Sequence, residues 1–189
     1  VEVSASGTIQ PVNVVSVGTQ VSGIIEKVFV DYNSEVNKGD LIAQLETFTL
    51  EEDLKEAKAT LTDAKSKLAQ KKLDAKRFKE LFEKNYIAKS EWEQAELDVV
   101  TAQATYDRAL AQVKKAKRNL GYANIVSPVS GTIITKEVEE GQTVAASFQT
   151  PELFTIAEDL TKMQIEASVS EADIGQIKAG LPVDFTVDT

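Results

Sequence analysis

The hydrophobic positions along this chain change period twice. Residues 1–16 alternate small polar and β-branched side chains, which reads as strand with Pro11 as a break. Short apolar runs follow, Val21-Ser22-Gly23-Ile24-Ile25, Val28-Phe29-Val30 and Leu41-Ile42-Ala43-Gln44-Leu45, parted by turns at Asn33-Ser34-Glu35 and Asn37-Lys38-Gly39-Asp40. Runs so short, with turns so frequent, predict a small β-sandwich or barrel. Residues 49–120 then contain neither Gly nor Pro. Apolar residues recur there in alternating steps of three and four, at Leu54, Ala57, Leu61, Ala64, Leu68, Ala75, Phe78 and Phe82, with Lys71 alone interrupting the stripe. After a break at Asn85-Tyr86-Ile87-Ala88-Lys89 the stepping resumes at Trp92, Ala95, Val99, Ala102, Tyr106, Ala109, Val113, Ala116 and Leu120. This pattern predicts an antiparallel two-helix coiled coil with arms of roughly 45–50 Å. Capping boxes are expected at Thr49 with Glu52 and at Ser90 with Glu93.

Short strands return in residues 121–158, at Ile125-Val126, Thr132-Ile133-Ile134 and Leu153-Phe154-Thr155-Ile156. Residues 159–189 open with alternation at Met163, Ile165, Ala167 and Val169. A short helical patch with Ser170 as N-cap and Asp173 at N3 follows, and residues 183–187 alternate again. The charges fit a hairpin. The first helix begins with Glu51, Glu52, Asp53 and Glu56 and ends with Lys76, Arg77, Lys79 and Lys84. The second begins with Glu91, Glu93, Glu96 and Asp98 and ends with Lys114, Lys115, Lys117 and Arg118. Each order suits its own helix dipole, and folding back sets acidic starts against basic ends.

The two β-regions echo each other. Val21-Ser22-Gly23-Ile24-Ile25 matches Val129-Ser130-Gly131-Thr132-Ile133, and Lys38-Gly39-Asp40-Leu41-Ile42 matches Glu140-Gly141-Gln142-Thr143-Val144. Two half-domains of this kind cannot each bury two faces alone, so they should pack on one another. The arrangement resembles the lipoyl/biotinyl domain. In carriers of that family a tight turn between the halves presents a lysine for the cofactor. Here the helical hairpin stands in place of that turn, so the sandwich is carried over but the carrier function and any cofactor are not.

A lipoyl-like sandwich interrupted by a long α-hairpin and followed by a β-barrel resembles the membrane fusion, or periplasmic adaptor, family of tripartite efflux pumps. Val17-Gly18-Thr19-Gln20-Val21-Ser22-Gly23, residues 122–131 (Tyr122-Ala123-Asn124-Ile125-Val126-Ser127-Pro128-Val129-Ser130-Gly131) and Val169-Ser170-Glu171-Ala172-Asp173-Ile174 look like its ABC-type macrolide-exporter branch. The hairpin length looks closer to the RND-type branch. The expected class is α+β: residues 1–16 lead in from the barrel and membrane-proximal side, 17–48 form the first lipoyl-like half, and 49–120 form the hairpin. Residues 121–158 form the second half, and 159–189 begin a β-barrel. Both termini read as strand, so a segment of a longer protein is expected.

The resemblance implies a non-enzymatic subunit of the cell envelope, periplasmic and anchored to the inner membrane by segments outside this chain. Its implied partners are an inner-membrane transporter (ABC-type favoured, RND-type the alternative), an outer-membrane exit duct, and further copies of itself in a ring, a hexamer among the stoichiometries allowed. The family's tip motif is an arginine, a leucine four residues on and a serine seven beyond. Arg77 and Leu81 fit, whereas Ala88 stands where serine is expected. Leu81, Tyr86, Ile87 and Ala88 would supply apolar knobs to a helical partner, and Arg77, Asn85 and Ser90 hydrogen bonds. In the macrolide-exporter branch a loop projects polar side chains into the axial channel as a gate, and Ser147, Phe148 and Gln149 fall there. Trp92 and Tyr106, at seam spacing, are read as packing residues. The acidic group Glu51-Glu52-Asp53 is read as a helix start rather than a cation site.

Composition narrows the chemistry. The 189 residues carry a net charge of −9 and 27% charged side chains, with no Cys and no His. The acidic balance excludes a phosphate-neutralising role toward nucleic acid. Without Cys or His, thiolate and histidine-base mechanisms and Cys/His zinc sites are excluded. No phosphate-binding glycine motif occurs, so energy for transport must come from a partner. Two other classes remain open: a lipoyl or biotinyl carrier domain, and a coiled-coil dimerisation module.

Overall fold

The computed structural model describes residues 5–146, 152–170, 175 and 177–186. Twelve elements follow in order: β1 (Ser6–Pro11), β2 (Val14–Val17), β3 (Gly23–Val28), β4 (Glu35–Val36), β5 (Leu41–Leu45), α1 (Phe48–Glu83), α2 (Lys89–Tyr122), β6 (Asn124–Val126), β7 (Gly131–Lys136), β8 (Thr143–Val144), β9 (Phe154–Ala157) and β10 (Met163–Ser168). The class is α+β.

Two four-stranded antiparallel sheets, ordered β2-β9-β7-β4 and β6-β5-β3-β8, make the sandwich. Exchanging the two chain halves converts one order into the other, so the sequence repeat is a structural one. The halves are interleaved rather than merely stacked. β4 of the first half pairs with β7 of the second, and β8 of the second pairs with β3 of the first. Repeated details carry the exchange. Gly39 and Gly141 both adopt positive φ, at 94° and 83°, a backbone region that disfavours any side chain. From those turns, Gly39 N–H donates to Ser127 O (2.8 Å) and Gly141 N–H donates to Ile25 O (2.8 Å). Thr19 and Ser127, the buried polar side chains, each donate to the carbonyl two residues ahead, Val21 and Val129, at 2.5 Å. Ser22 Oγ accepts from Ala146 N–H (3.0 Å) as Ser130 Oγ accepts from Lys38 N–H (2.9 Å).

Between the sheets lies one core. Ile25, Ile42 and Leu45 from one sheet meet Val17, Ile133, Phe154 and Ile156 from the other, with Val138 and Leu153 closing the edges. Burying an aliphatic or phenyl side chain is worth about 1.5–3 kcal/mol each, which makes this the main source of stability for a body of short strands. β2 belongs to this sandwich, pairing with β9 from Val14 onward. The lead-in before the sandwich is therefore shorter than residues 1–16, because the alternating Val14, Val15 and Val17 find a partner strand.

β1 and β10 form a separate two-stranded antiparallel ribbon, with Ile9 opposite Ile165 and Pro11 opposite Met163. Residues 181–186 contain no strand, although their alternation suggested one; Val183 and Phe185 are exposed, and no strand pairs with them among the described residues. The expected cap and first turn at Ser170 and Asp173 fall partly on residues 171–174, outside the described residues.

β5 runs directly into α1, and α2 returns directly into β6. The 36 and 34 residues of the arms give a hairpin roughly 50 Å long at 1.5 Å per residue. Every predicted seam residue is buried or half-buried, and Ala57, Ala64, Leu68, Ala95 and Ala109 are fully so. Alanines along the seam let the backbones approach, so the hairpin has a thin core. Among the described residues one ion pair crosses between the arms, Lys71 Nζ to Asp98 Oδ2 at 2.7 Å. The other hairpin pairs run along a single helix. Of the acidic starts and basic ends, Asp98 is thus the one that bridges the arms among the described residues, and neither helix carries a basic residue in its last turn.

Candidate functional site

The far end of the hairpin is built by a specific chain reversal. At the end of α1, Asn85 adopts φ 58°; its N–H donates to Phe82 O (2.8 Å), and Tyr86 N–H donates to Leu81 O (2.9 Å). This pair of bonds is a Schellman motif, with asparagine at the left-handed position that glycine usually fills. α2 then begins at Lys89 with Ala88 as its N-cap. Glu91 reaches back, its Oε2 accepting from Ala88 N–H at 3.0 Å. The expected box at Ser90 and Glu93 is therefore replaced, two residues earlier, by half a box: Glu91 rather than Glu93 satisfies the free amide, and Ala88 offers no side-chain acceptor in return. At the base, Thr47 rather than Thr49 stands at the N-cap position of α1, and its side chain makes no capping bond to the backbone. Thr47 Oγ1 donates to Glu51 Oε1 at 2.9 Å, and Glu52 pairs with Lys55 at 3.4 Å. Glu51 and Glu52 thus have partners within the first turns of α1, and Asp53 lines a groove at the base.

Tyr86 projects from the reversal with 73% of its surface exposed, while Ile87 tucks half-buried beside it. Just below, Phe82 and Trp92 stack across the arms with centroids 5.2 Å apart and planes 15° from parallel, which locks the end of the seam. One side of the tip carries a groove of about 380 Å³ lined by Lys71, Asp74, Phe78, Ser90, Glu91, Gln94, Ala95 and Asp98. Arg77 flanks it, exposed, donating to Asp74 Oδ1 at 3.2 Å. Half-buried Leu81 lies one turn further on. Arg77, Leu81, Asn85, Tyr86, Ile87, Ala88 and Ser90 therefore gather at one end of the molecule. Asn85 and Ala88 are committed to backbone capping there, which the sequence had grouped with the contact residues.

Lys71 was legible only as a gap in the apolar stripe. Its ammonium and the Asp98 carboxylate meet at the groove floor, and Gln94 Nε2 donates to Asp98 Oδ1 at 3.1 Å. The hydrogen bond from Lys71, then that from Gln94, holds the Asp98 carboxyl below the usual aspartate range, and the Asp98 bond raises Lys71. A second groove of about 510 Å³ runs along the same side at the base, lined by residues including Asp53, Glu56, Ala57, Arg108, Ala109 and Lys115. Ser147, Phe148 and Gln149 of the expected gate loop lie outside the described residues. No helix among the described residues is long and apolar enough to cross a membrane.

An interleaved sandwich of two half-repeats, with a long helical hairpin inserted between them and a capped, exposed tip, defines a β-sandwich scaffold that bears a projecting α-hairpin. Residues 13–156 match the family profile described as RND MFP, barrel-sandwich hybrid domain. Macrolide export protein MacA of Yersinia pestis is 33% identical over 199 residues, covering 98% of this chain and 53% of that protein. Pyoverdine export membrane fusion protein PvdR of Pseudomonas aeruginosa is 31% identical over 198 residues, covering 97% and 50%. The crystal structure of MacA from Actinobacillus actinomycetemcomitans superposes with a TM-score of 0.77 and 35% identity, over 93% of this chain and 58% of that one. The chain belongs to the membrane fusion protein family, and it spans about half the length of the curated relatives it matches.

Proposed function

We propose that this chain is the hairpin-bearing part of a periplasmic adaptor that joins an inner-membrane transporter to an outer-membrane exit duct for export of small molecules. In this reading the protein resides in the cell envelope, is held to the inner membrane by parts outside residues 1–189, and works as a ring of copies. The sandwiches form a collar and the hairpins a tube. The observation that carries the reading is mechanical. Two arms of 36 and 34 residues leave adjacent strands β5 and β6 of one rigid core and end in a capped reversal with Tyr86 exposed. That is a spacer with an attachment point. Arg77, Leu81, Tyr86, Ile87 and Ser90 would meet the helical end of the duct, with Asn85 and Ala88 holding the reversal in shape. Residues 147–149 follow β8 on the sandwich, and we assign them to the channel side as a gate.

An ABC-type transporter is the favoured inner-membrane partner, supported by the likeness to macrolide export proteins of two genera. A proton-driven RND partner is the second reading, supported by the RND-type family profile that residues 13–156 match. Tagged protein purified from cell envelopes tests the assignment. Co-purification of an outer-membrane duct should survive in the wild type and fall at least tenfold in a Leu81→Asp, Tyr86→Asp variant, while the inner-membrane transporter is retained. Equal recovery of the duct by both proteins would contradict it. The transporter that co-purifies identifies the branch.

A further inference from the structure

Charge is unevenly shared along this acidic chain. Residues 49–120 carry 16 Lys and Arg against 13 Asp and Glu, whereas the remainder carries 5 against 17. The hairpin is thus the cationic part of an anionic protein, and its excess lies on one face. Lys58, Lys65, Lys72 and Lys79 each follow a seam residue of α1 (Ala57, Ala64, Lys71 and Phe78), so they project to one side at intervals of seven residues, about 10 Å. Lys55 and Lys76 flank the row, and all six are exposed. Lys114 and Lys117 extend the face onto α2 at the base. Both grooves lie on the opposite side of the hairpin, and there the cations have partners, Lys67 with Asp63, Lys71 with Asp98 and Arg77 with Asp74. On the lysine side Lys55 pairs with Glu52 at 3.4 Å, and no ion pair joins the other five to any acid among the described residues. Glu93 and Asp107 of α2, on the same side, are engaged by Lys89 and Gln103 of their own helix. The hairpin itself therefore makes no use of the row. Solubility does not require it either, since the chain already stands at −9.

We propose that this lysine face binds the acidic peptides of the cell-wall polymer. The proposal deepens the adaptor reading and rests on it, because a rod that reaches from an inner-membrane transporter to an outer-membrane duct has to pass through that wall. Three features select this occupant. First, the face offers ammonium groups, point charges that suit carboxylates without demanding one geometry. Second, no aromatic ring is exposed between residues 55 and 79, so the face has no platform on which sugar rings or bases could stack; it reads the acidic peptides of the polymer rather than its glycan. The apolar stripe of each arm is spent on the seam, so no apolar face backs the row for entry into a bilayer. Third, Lys58 to Lys79 spans about 32 Å at 1.5 Å per residue, which lets one hairpin engage several acidic groups at once. An exposed ammonium–carboxylate contact is weak singly. Repeated along a polymer that carries the same acid at intervals, such contacts act together. The bond they make is sensitive to salt and readily reversed, which holds the rod in an opening of the wall without fixing it there.

Co-sedimentation of the protein with purified, protein-free cell-wall sacculi tests this. The wild type should sediment with sacculi at low ionic strength and be released at about 0.5 M salt, where the screening length falls to a few Å. Lys58→Gln, Lys65→Gln, Lys72→Gln and Lys79→Gln together should weaken binding at least tenfold. Glutamine is nearly as good a helix former as lysine, and the helical circular dichroism of the variant should match the wild type. The same number of charges removed from the groove side, by Lys67→Gln, Lys84→Gln, Arg108→Gln and Lys115→Gln, should leave binding within about twofold of the wild type if the ordered row, rather than net charge, is what binds. Sacculi whose carboxyl groups have been amidated should bind at least tenfold less. No sedimentation of the wild type, equal loss in the groove-side variant, equal binding to amidated sacculi, or equal or tighter binding to phosphatidylglycerol vesicles would overturn the proposal. If sacculi are not bound while the duct still co-purifies from cell envelopes, the wall contact falls and the adaptor reading stands. If sacculi are bound through the row but no duct co-purifies, the adaptor reading falls and the contact stands.

Discussion

Asn85 shows how one residue shapes the tip of the hairpin. It holds φ 58° at the end of α1, where a β-branched side chain would be strained by about 1–2 kcal/mol and glycine would not be strained at all. Asn85→Val should therefore lower hairpin stability by about 1–2 kcal/mol and speed hydrogen exchange at the Tyr86 amide, while Asn85→Gly should leave both nearly unchanged. Lys71 and Asp98 give a second test, through pH. The folded-state pKa of Asp98 is lowered by Lys71 and Gln94. Its contribution is thus complete above the ordinary aspartate range and is lost as pH falls through the lowered value. Lys71 is raised and stays charged past the ordinary lysine range, so the pair is intact between those limits. Asp98→Asn should flatten the acid side of the stability curve measured by urea denaturation at a series of pH values.

At the scale of elements, the hairpin depends on small residues in its seam. Ala64 is 3% exposed between the arms. Ala64→Leu would force the backbones apart and should cost about 1–3 kcal/mol, read as an earlier loss of helical circular dichroism on heating. The same enlargement at exposed Ala59 should leave the melting of a single chain unchanged. The helices were legible in the sequence because their period runs on through residues 49–120 with one short break, and the seam followed with them. The caps were less so. Thr49 with Glu52 and Ser90 with Glu93 satisfy the capping pattern better than the true starts do, since Thr47 has Leu50 three residues on and Ala88 has no side-chain acceptor, and only the path of the backbone from β5 and from Asn85 decides between them. The tip residues followed from the break in that period and from the family resemblance, yet the capping duty of Asn85 and Ala88 required the dihedral angles. Exposed Leu73 and Leu97 left no periodic signal, since single exposed apolar residues on a helix are ordinary.

At the scale of the whole molecule, the sequence echo became an interleaved body whose strands are exchanged between halves. The echo could not reveal that exchange, because strand pairing across halves is a long-range choice. Gly131 sits where β7 crosses β9, and a side-chain carbon there would overlap the Ala157 carbonyl. Gly131→Ala should therefore destabilise the sandwich by about 3 kcal/mol, at the upper end of overpacking effects, and broaden its thermal transition. Such a core is a mount: it joins both arms at neighbouring strands and turns two separate helices into one lever. The most direct test of that lever as a bridge is cross-linking from its end in living cells. With Tyr86→Cys, a short thiol-reactive cross-linker should capture an outer-membrane protein, and the same reagent at Lys38→Cys on the sandwich should not. Capture of no outer-membrane protein from residue 85 or 86, in protein present at normal levels, would contradict the bridge.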